Sequence, residues 1–347
     1  MNYLITVIIP TYNAEDFLKS AIDSVKNQSI GFENIELLLV DDNSSDATRS
    51  IIKEYSDIYD NIKYIFPEGN SGSPSRGRNV GIDNASSKYI MFLDQDDRYL
   101  EDCCEVLYNT IEKTQENIVM CNYINIINGD FSSIGIKDQD TSFKIVNPQK
   151  DKKIFRKTYM WDKIFKLDFL NKHNIRCPEG LLMEDVYFIM QCYLNMDRLV
   201  YLENYSGYGY NIREIEEDPS TSNQFTKNLI FKYLKTYYPL CIFFKDLNRQ
   251  DLLDCMMKEH FIILIGNFTR LKEDYNSKVE ILEEYCKLID YTNFNGKLDE
   301  LWANLIFVNI KNRNFKVAIF FSKIINILFN SYSLRKIYRR IYGREND

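Results

Sequence analysis

Four short apolar runs, at residues 5–9, 35–40, 62–65 and 89–93, constrain what this chain can fold into more than any other feature. Each has the length of a buried strand, and amphipathic stretches separate them. Phe17, Leu18, Ala21, Ile22 and Val25 recur at helical spacing after the first run, and Ile51, Ile52 and Tyr55 after the second. Residues 76–85 read as a third helix, and Ser45 or Asp46 stands where the second helix needs a cap. This alternation implies a mainly parallel sheet with helices on both faces, an α/β domain. Pro10 is expected to stop the first strand.

Polar clusters follow the first, second and fourth runs, at the sheet edge where open α/β sheets bind ligands. The first is Pro10-Thr11-Tyr12-Asn13, able to wall a base pocket; by itself it is only a strand-to-helix turn. The second, residues 41–46, carries Asp41 and Asp42. A carboxylate there can accept a hydrogen bond from a uracil imide or a ribose hydroxyl, or the cluster can simply cap a helix. The third is Asp94-Gln95-Asp96-Asp97. In extended chain Asp94 and Asp96 point to one side and repel unless a cation lies between them. Mg²⁺ and Mn²⁺ use one or two carboxylates plus diphosphate oxygens; a solvated acidic turn is the plainer alternative.

Arg76, Arg78 and Asn79 lie where a loop enters a helix, a setting that suits an anion or a solvated basic face. Residues 181–194 read as a helix, with Leu182, Val186, Ile189, Met190 and Tyr193 on one side. Glu184 and Asp185 are an acidic pair inside that apolar frame. A partly buried carboxylate has a raised pKa and can serve as a general base, although a salt-bridged helix start would look the same. With only two histidines in the chain, a three-histidine metal site or a histidine-based triad is almost excluded, so acid–base work falls to carboxylates. The eight cysteines show no C-x-x-C spacing and read as small apolar residues. A net charge of −7 argues against a nucleic-acid partner.

Together and in this order, these elements resemble the family 2 glycosyltransferases of GT-A fold. The matching pieces are residues 7–13, 40–46, 77–81 and 92–97, completed by Trp161-Asp162-Lys163-Ile164-Phe165 and Met183-Glu184-Asp185. The stretch 70–79 is similar to the poly(ribitol-phosphate) glycosyltransferases of wall teichoic acid and to capsular-polysaccharide transferases. The resemblance implies a Rossmann-like sheet, a UDP-sugar donor and Mn²⁺ or Mg²⁺. It implies that Asp42 contacts uracil, that Asp94 lies near the ribose and diphosphate, that Asp96 is the metal ligand and that Asp185 is the catalytic base. Pro10 and Tyr12 would line the nucleotide pocket, and Asn70 and Arg76 would hold the diphosphate–sugar portion. Arg213, followed by Ser220-Thr221-Ser222, matches a closing segment that folds over the diphosphate.

From about residue 225 the pattern turns strongly helical, which sets expected domains at 1–222, catalytic, and 223–347, helical. Between Lys311 and Arg344 stand nine basic residues and no acidic one, interleaved with Phe, Ile and Leu. Such a basic amphipathic end suits a membrane surface or a polyanionic acceptor. A helix packed on its own domain and a homo-oligomer contact are the alternatives. No signal peptide and no 18-residue uncharged run is evident, so a cytoplasmic location is expected, with peripheral contact at the inner face of the plasma membrane. The expected activity is inverting transfer of a GlcNAc, GalNAc, Glc or Gal unit from UDP to a hydroxyl of teichoic acid or capsular polysaccharide. A catalytically silent nucleotide-sugar-binding scaffold is the other reading.

Overall fold

A computed structural model describes residues 3–127, 139–212 and 226–330, and the chain divides into two compact units, Met1–Pro219 and Ser220–Asp347. Arg213, the 220–222 triplet and the basic residues beyond 330 lie outside the described residues.

The first unit opens with the expected alternation: β1 (Ile5–Thr11), α1 (Leu18–Lys26), β2 (Ile35–Asp41), α2 (Thr48–Ile58), β3 (Ile62–Ile65), α3 (Pro74–Asn84) and β4 (Tyr89–Phe92). These strands lie parallel in the order β3-β2-β1-β4. β1 and β2 are buried along their whole length, which is why they read as unbroken apolar runs rather than as alternating ones. The chain then adds β5 (Arg98–Tyr99), α4 (Cys103–Thr114), β6 (Ile118–Ile127), β7 (Lys144–Val146), α5 (Lys152–Phe155), β8 (Lys163–Lys166), α6 (Leu167–Lys172), α7 (Glu184–Leu194) and β9 (Leu199–Ile212). Here pairing is mixed: β8 runs antiparallel to β4 and β6, β9 parallel to β6, and β5 and β7 antiparallel to β9.

Pro10 does not stop β1. Its pairing with β2 continues to Thr11, whereas β4 leaves β1 after Ile8. The Ile8 carbonyl faces β4, accepting from Leu93, so Pro10, two residues on, turns its missing N–H toward an edge where pairing has already ended. The cap of α2 also differs from expectation. Ala47 is the N-cap, and Asp46, one residue earlier, accepts from the Thr48 N–H (3.0 Å).

β2 and β3 lie on one side of β1, and β4 returns on the other. That reversal makes the β1/β4 boundary a topological switch point, where the sheet opens a crevice at its C-terminal edge. α3 closes against it. A Cβ on Gly77 would stand 2.9 Å from Pro10 Cβ, and one on Gly81 would collide with Ile8. Glycine at both positions lets the helix backbone lie flat on β1.

The second unit holds α8 (Lys227–Asp246), α9 (Gln250–Arg270), α10 (Tyr275–Thr292), α11 (Leu301–Lys311) and α12 (Phe315–Asn330). Thr226 and Asp274 cap α8 and α10 through side-chain oxygens. Leu234, Phe244, Phe261, Phe268, Leu282 and Phe307 are buried in its core. The one buried histidine, His260, meets the Tyr237 hydroxyl at 2.8 Å, and burial pulls its pKa down to about 4, so it stays neutral.

Candidate active site

Strand ends and one helix start bring the acidic clusters together. At the end of β2, Asp41 is fully buried and accepts from Thr11 Oγ1 (3.2 Å), Ser44 N (3.0 Å) and Arg49 Nε (2.6 Å). It ties the turn and is spent on structure. Asp42, its neighbour, has one oxygen taking the Ser71 N–H and hydroxyl (2.8 and 2.9 Å) and the other taking Arg76 Nη2 (2.5 Å). Asn70 donates to the Asp42 carbonyl (2.8 Å), and Arg76 also reaches the Glu68 carbonyl (3.0 Å). Asp42, Asn70 and Arg76 therefore form one cluster. Ser71 is the member that sequence reasoning missed.

The loop into α3 keeps further polar groups in reserve. Ser73 Oγ, Ser75 Oγ, Arg76 Nε and Arg78 Nε are buried with no hydrogen-bond partner among the described residues. Buried donors without partners are costly, and four of them around a helix N-terminus suit a diphosphate.

Tyr12 is 48% exposed, while its backbone is latched to Gln95: Tyr12 N donates to Oε1 (2.7 Å), and Gln95 Nε2 donates to the Tyr12 carbonyl (3.1 Å). Gln95, unassigned from sequence, joins the end of β1 to the acidic turn after β4. That turn is not extended. The Asp97 N–H donates to the Asp94 carbonyl (3.1 Å), so Asp94 and Asp96 are arranged by a tight turn instead of by strand alternation. Asp97 is buried and committed, accepting from Tyr208 OH (2.6 Å) and Asn211 N (2.7 Å). Burial, with Asp96 and Asp94 close by, pushes its carboxyl well above the usual range. Asp96 is half-buried beside it. No three His, Cys, Asp or Glu side chains among the described residues converge as a self-sufficient metal site. A divalent cation held by one or two carboxylates with a diphosphate needs no such trio.

Arg78, 5% exposed, refutes the solvated basic face. Its Nη2 donates to Asp94 (2.8 Å) and its Nη1 to Glu184 (2.5 Å). Burial opposes its charge, but Asp94 and Glu184 outweigh that and push its pKa above the ordinary value. One guanidinium thus joins α3, the acidic turn and the start of α7. The Asn79 side chain pairs reciprocally with the Cys177 backbone at 2.8 Å each way, tethering the segment before α7. Met183 caps α7 in the left-handed region (φ 57°), a conformation that costs about 1–3 kcal/mol at a non-glycine residue.

Asp185, in the first turn of α7, is half-buried and accepts from the Val186 N–H (2.8 Å). Burial first, and then Glu184 beside it, push its pKa up to about 7, against the pull of Arg78. A carboxylate so placed can take a proton from a hydroxyl near neutral pH.

An aromatic wall flanks these acids. Trp161 stacks on Tyr208 (4.2 Å) and on Tyr159 (4.6 Å), and Tyr123 meets it edge-on (4.9 Å). Tyr159 is 40% exposed, and burial, then Tyr123 and Asp185 nearby, push its phenol up. Below the wall, the fully buried Lys163 donates to Asp162 (2.5 Å) and to the Tyr159 carbonyl (2.6 Å), fixing the loop that carries it.

Residues 6–167 match Glycosyl transferase family 2. The chain is 32% identical to the poly(ribitol-phosphate) beta-glucosyltransferase of Bacillus spizizenii over 59% of its own length and 32% of that protein. It is 30% identical to an uncharacterized glycosyltransferase of Haemophilus influenzae over 66% of its own length and 88% of that protein. The structure of Staphylococcus aureus TarS 1-349 in complex with UDP-GlcNAc superposes with a TM-score of 0.72 at 21% identity, covering 92% of this chain and 90% of that one. TarS is named a poly(ribitol-phosphate) beta-N-acetylglucosaminyltransferase. The shared fold is the GT-A arrangement with a helical C-terminal region. Among the first curated relatives it matches, the chain spans about a quarter to a third of their length.

Proposed function

The chain belongs to glycosyl transferase family 2, and from that premise we propose that it moves a hexose or N-acetylhexosamine from UDP to a hydroxyl of a teichoic acid or capsular polymer, with inversion. The observation that carries the reading is Asp185, pushed up to about 7 beside Arg78 and Glu184. The names of the poly(ribitol-phosphate) relatives support the polymer acceptor, and the UDP-GlcNAc bound to TarS supports the donor class.

In this reading Tyr12, with Pro10 behind it, walls the base, and Asp42 accepts from uracil. Asn70 and Arg76 hold the diphosphate–sugar portion, drawing on the partnerless donors around the start of α3. Asp94, oriented by Arg78, lies toward the ribose and diphosphate. Asp96 would be the protein's ligand to Mn²⁺ or Mg²⁺, and a divalent cation held there would supply positive charge against a leaving diphosphate. Arg213 would close over the same group. Asp185 accepts the proton of the acceptor hydroxyl while that oxygen forms its bond to the anomeric carbon. The bond from that carbon to the diphosphate oxygen breaks, and its electron pair leaves with UDP. One displacement inverts the centre. Family 2 carboxylates so used parallel the base of an inverting glycosidase. Catalysis would reside in residues 1–222 and the helical part in 223–347.

The test is nucleotide release from a panel of UDP-, GDP- and dTDP-sugars with Mn²⁺ present. Release from one UDP-sugar, lost on chelation, is expected. Calorimetric UDP binding with no release from any donor, even with ribitol-phosphate polymer added, would instead favour the silent scaffold.

A further inference from the structure

The hairpin of α11 and α12 turns two apolar faces outward. On α12, Val317, Phe320, Ile324 and Ile327 recur at three- and four-residue spacing on one side, and Phe320 and Ile327 are 60% and 64% exposed. The opposite side packs inward through Ala318, Ile319 and Ser322. On α11, Leu301, Leu305 and Val308 repeat the pattern, while Ala303, Ile306, Phe307 and Ile310 are buried. Trp302 against Phe329 (5.2 Å) locks the start of one helix to the end of the other. A row of seven outward apolar side chains exceeds the scattered exposure normal for a soluble surface.

Charge selects the occupant. From Leu301 to Asn330 the sequence has four basic residues (Lys311, Arg313, Lys316, Lys323) and no acidic one. Arg313 is paired with Asp290 (3.1 Å). Lys316 and Lys323 are exposed, form no ion pair among the described residues, and fall by helical spacing along one border of the α12 stripe. Lys323 also lies near Lys278, whose ammonium is held below its ordinary pKa first by burial and then by Lys323, with Glu273 opposing. A second copy of this chain docked through the same helices would bring no acidic side chain of α11 or α12 to meet these lysines. An anionic lipid surface matches both the stripe and its border. No described helix is long and apolar enough to cross a membrane.

We infer that the outward face of α12, continued by that of α11, rests on an anionic lipid surface, with Phe320 and Ile327 in the acyl–headgroup boundary and Lys316 and Lys323 at the headgroups. Such docking holds whichever sugar the catalytic unit uses, and its failure would leave the transferase reading untouched.

The test is co-sedimentation of the full chain with vesicles of phosphatidylglycerol in phosphatidylcholine, against phosphatidylcholine alone. The chain should prefer the anionic vesicles and lose that preference in high salt. Phe320→Ser with Ile327→Ser should cut partitioning by at least about tenfold, and Lys316→Glu with Lys323→Glu should abolish the anionic preference. All four side chains are exposed, so melting temperature and UDP binding should not move. Partitioning unchanged in both double variants would overturn the inference. So would a dimer in sedimentation velocity that the Phe320→Ser, Ile327→Ser variant dissolves, because the face would then belong to a second copy.

Discussion

Asp42 and Asp185 are the same residue type in one unit, and their surroundings differ in kind. Asp42 takes two hydrogen bonds from Ser71 and one from Arg76, so its negative charge is met by donors on both oxygens. Asp185 accepts one backbone N–H, is crowded by protein, and has Glu184 as neighbour; its pKa rises to about 7. A carboxylate surrounded by donors is a fixed acceptor, suited to holding a ligand. One short of donors and beside another acid keeps an affinity for protons, suited to taking one. Arg78 sustains the contrast. It pairs with Glu184 and Asp94, leaving Asp185 the acid of its pair that gains least from the guanidinium.

The strongest way to break this division is Asp185→Asn. Transfer should fall by about 10²–10⁴, measured in single turnover, with UDP affinity by calorimetry essentially unchanged. Loss of both together would mean that Asp185 holds the donor. Next in size is Arg78→Leu, which strands Asp94 and Glu184 without their cation and should cost about 3–5 kcal/mol in urea unfolding. Adding Glu184→Gln should recover part of that loss; no recovery would show that Glu184 does not depend on Arg78. Asp42→Asn removes a charge-assisted acceptor and loosens Arg76, so UDP binding should weaken by about tenfold while the pH dependence of transfer stays as in wild type.

The smallest effect concerns stability. A carboxyl raised from an ordinary value near 4 to about 7 binds its proton more tightly when folded. Folding is therefore favoured by that group below pH 4, and the advantage is lost as pH rises to 7. Asp185→Asn should then melt a few degrees higher than wild type at pH 8 and no higher at pH 4, by scanning calorimetry. An equal shift at both values would detach it from ionisation.

The parallel half of the sheet was legible because β1, β2 and β4 are buried on both faces and show as continuous apolar runs. The clusters at their ends were legible for the same reason: a strand end locates whatever follows it. Arg78 with Glu184 was not, since the partners are 106 residues apart and no local pattern links one to the other. β8 was hidden by Lys163, a fully buried charge at its first position, where the adjacent Asp162 reads as a solvated pair until the fold shows both to be buried. Asp94 and Asp96 read as extended chain in the sequence because the strand before them is plain. The turn that replaces it depends on Asp97 being drawn to Tyr208 and Asn211, far along the sequence.

Whether Asp185 serves as the base turns on its proton affinity. A carboxyl-carbon NMR titration with labelled aspartate, the signal assigned by its absence in Asp185→Asn, measures it in the ligand-free protein. An apparent pKa near 7, with a matching fall in transfer rate below that pH, is the result predicted. A midpoint near 4, with transfer still rising through neutral pH, would contradict the assignment of Asp185 as the base.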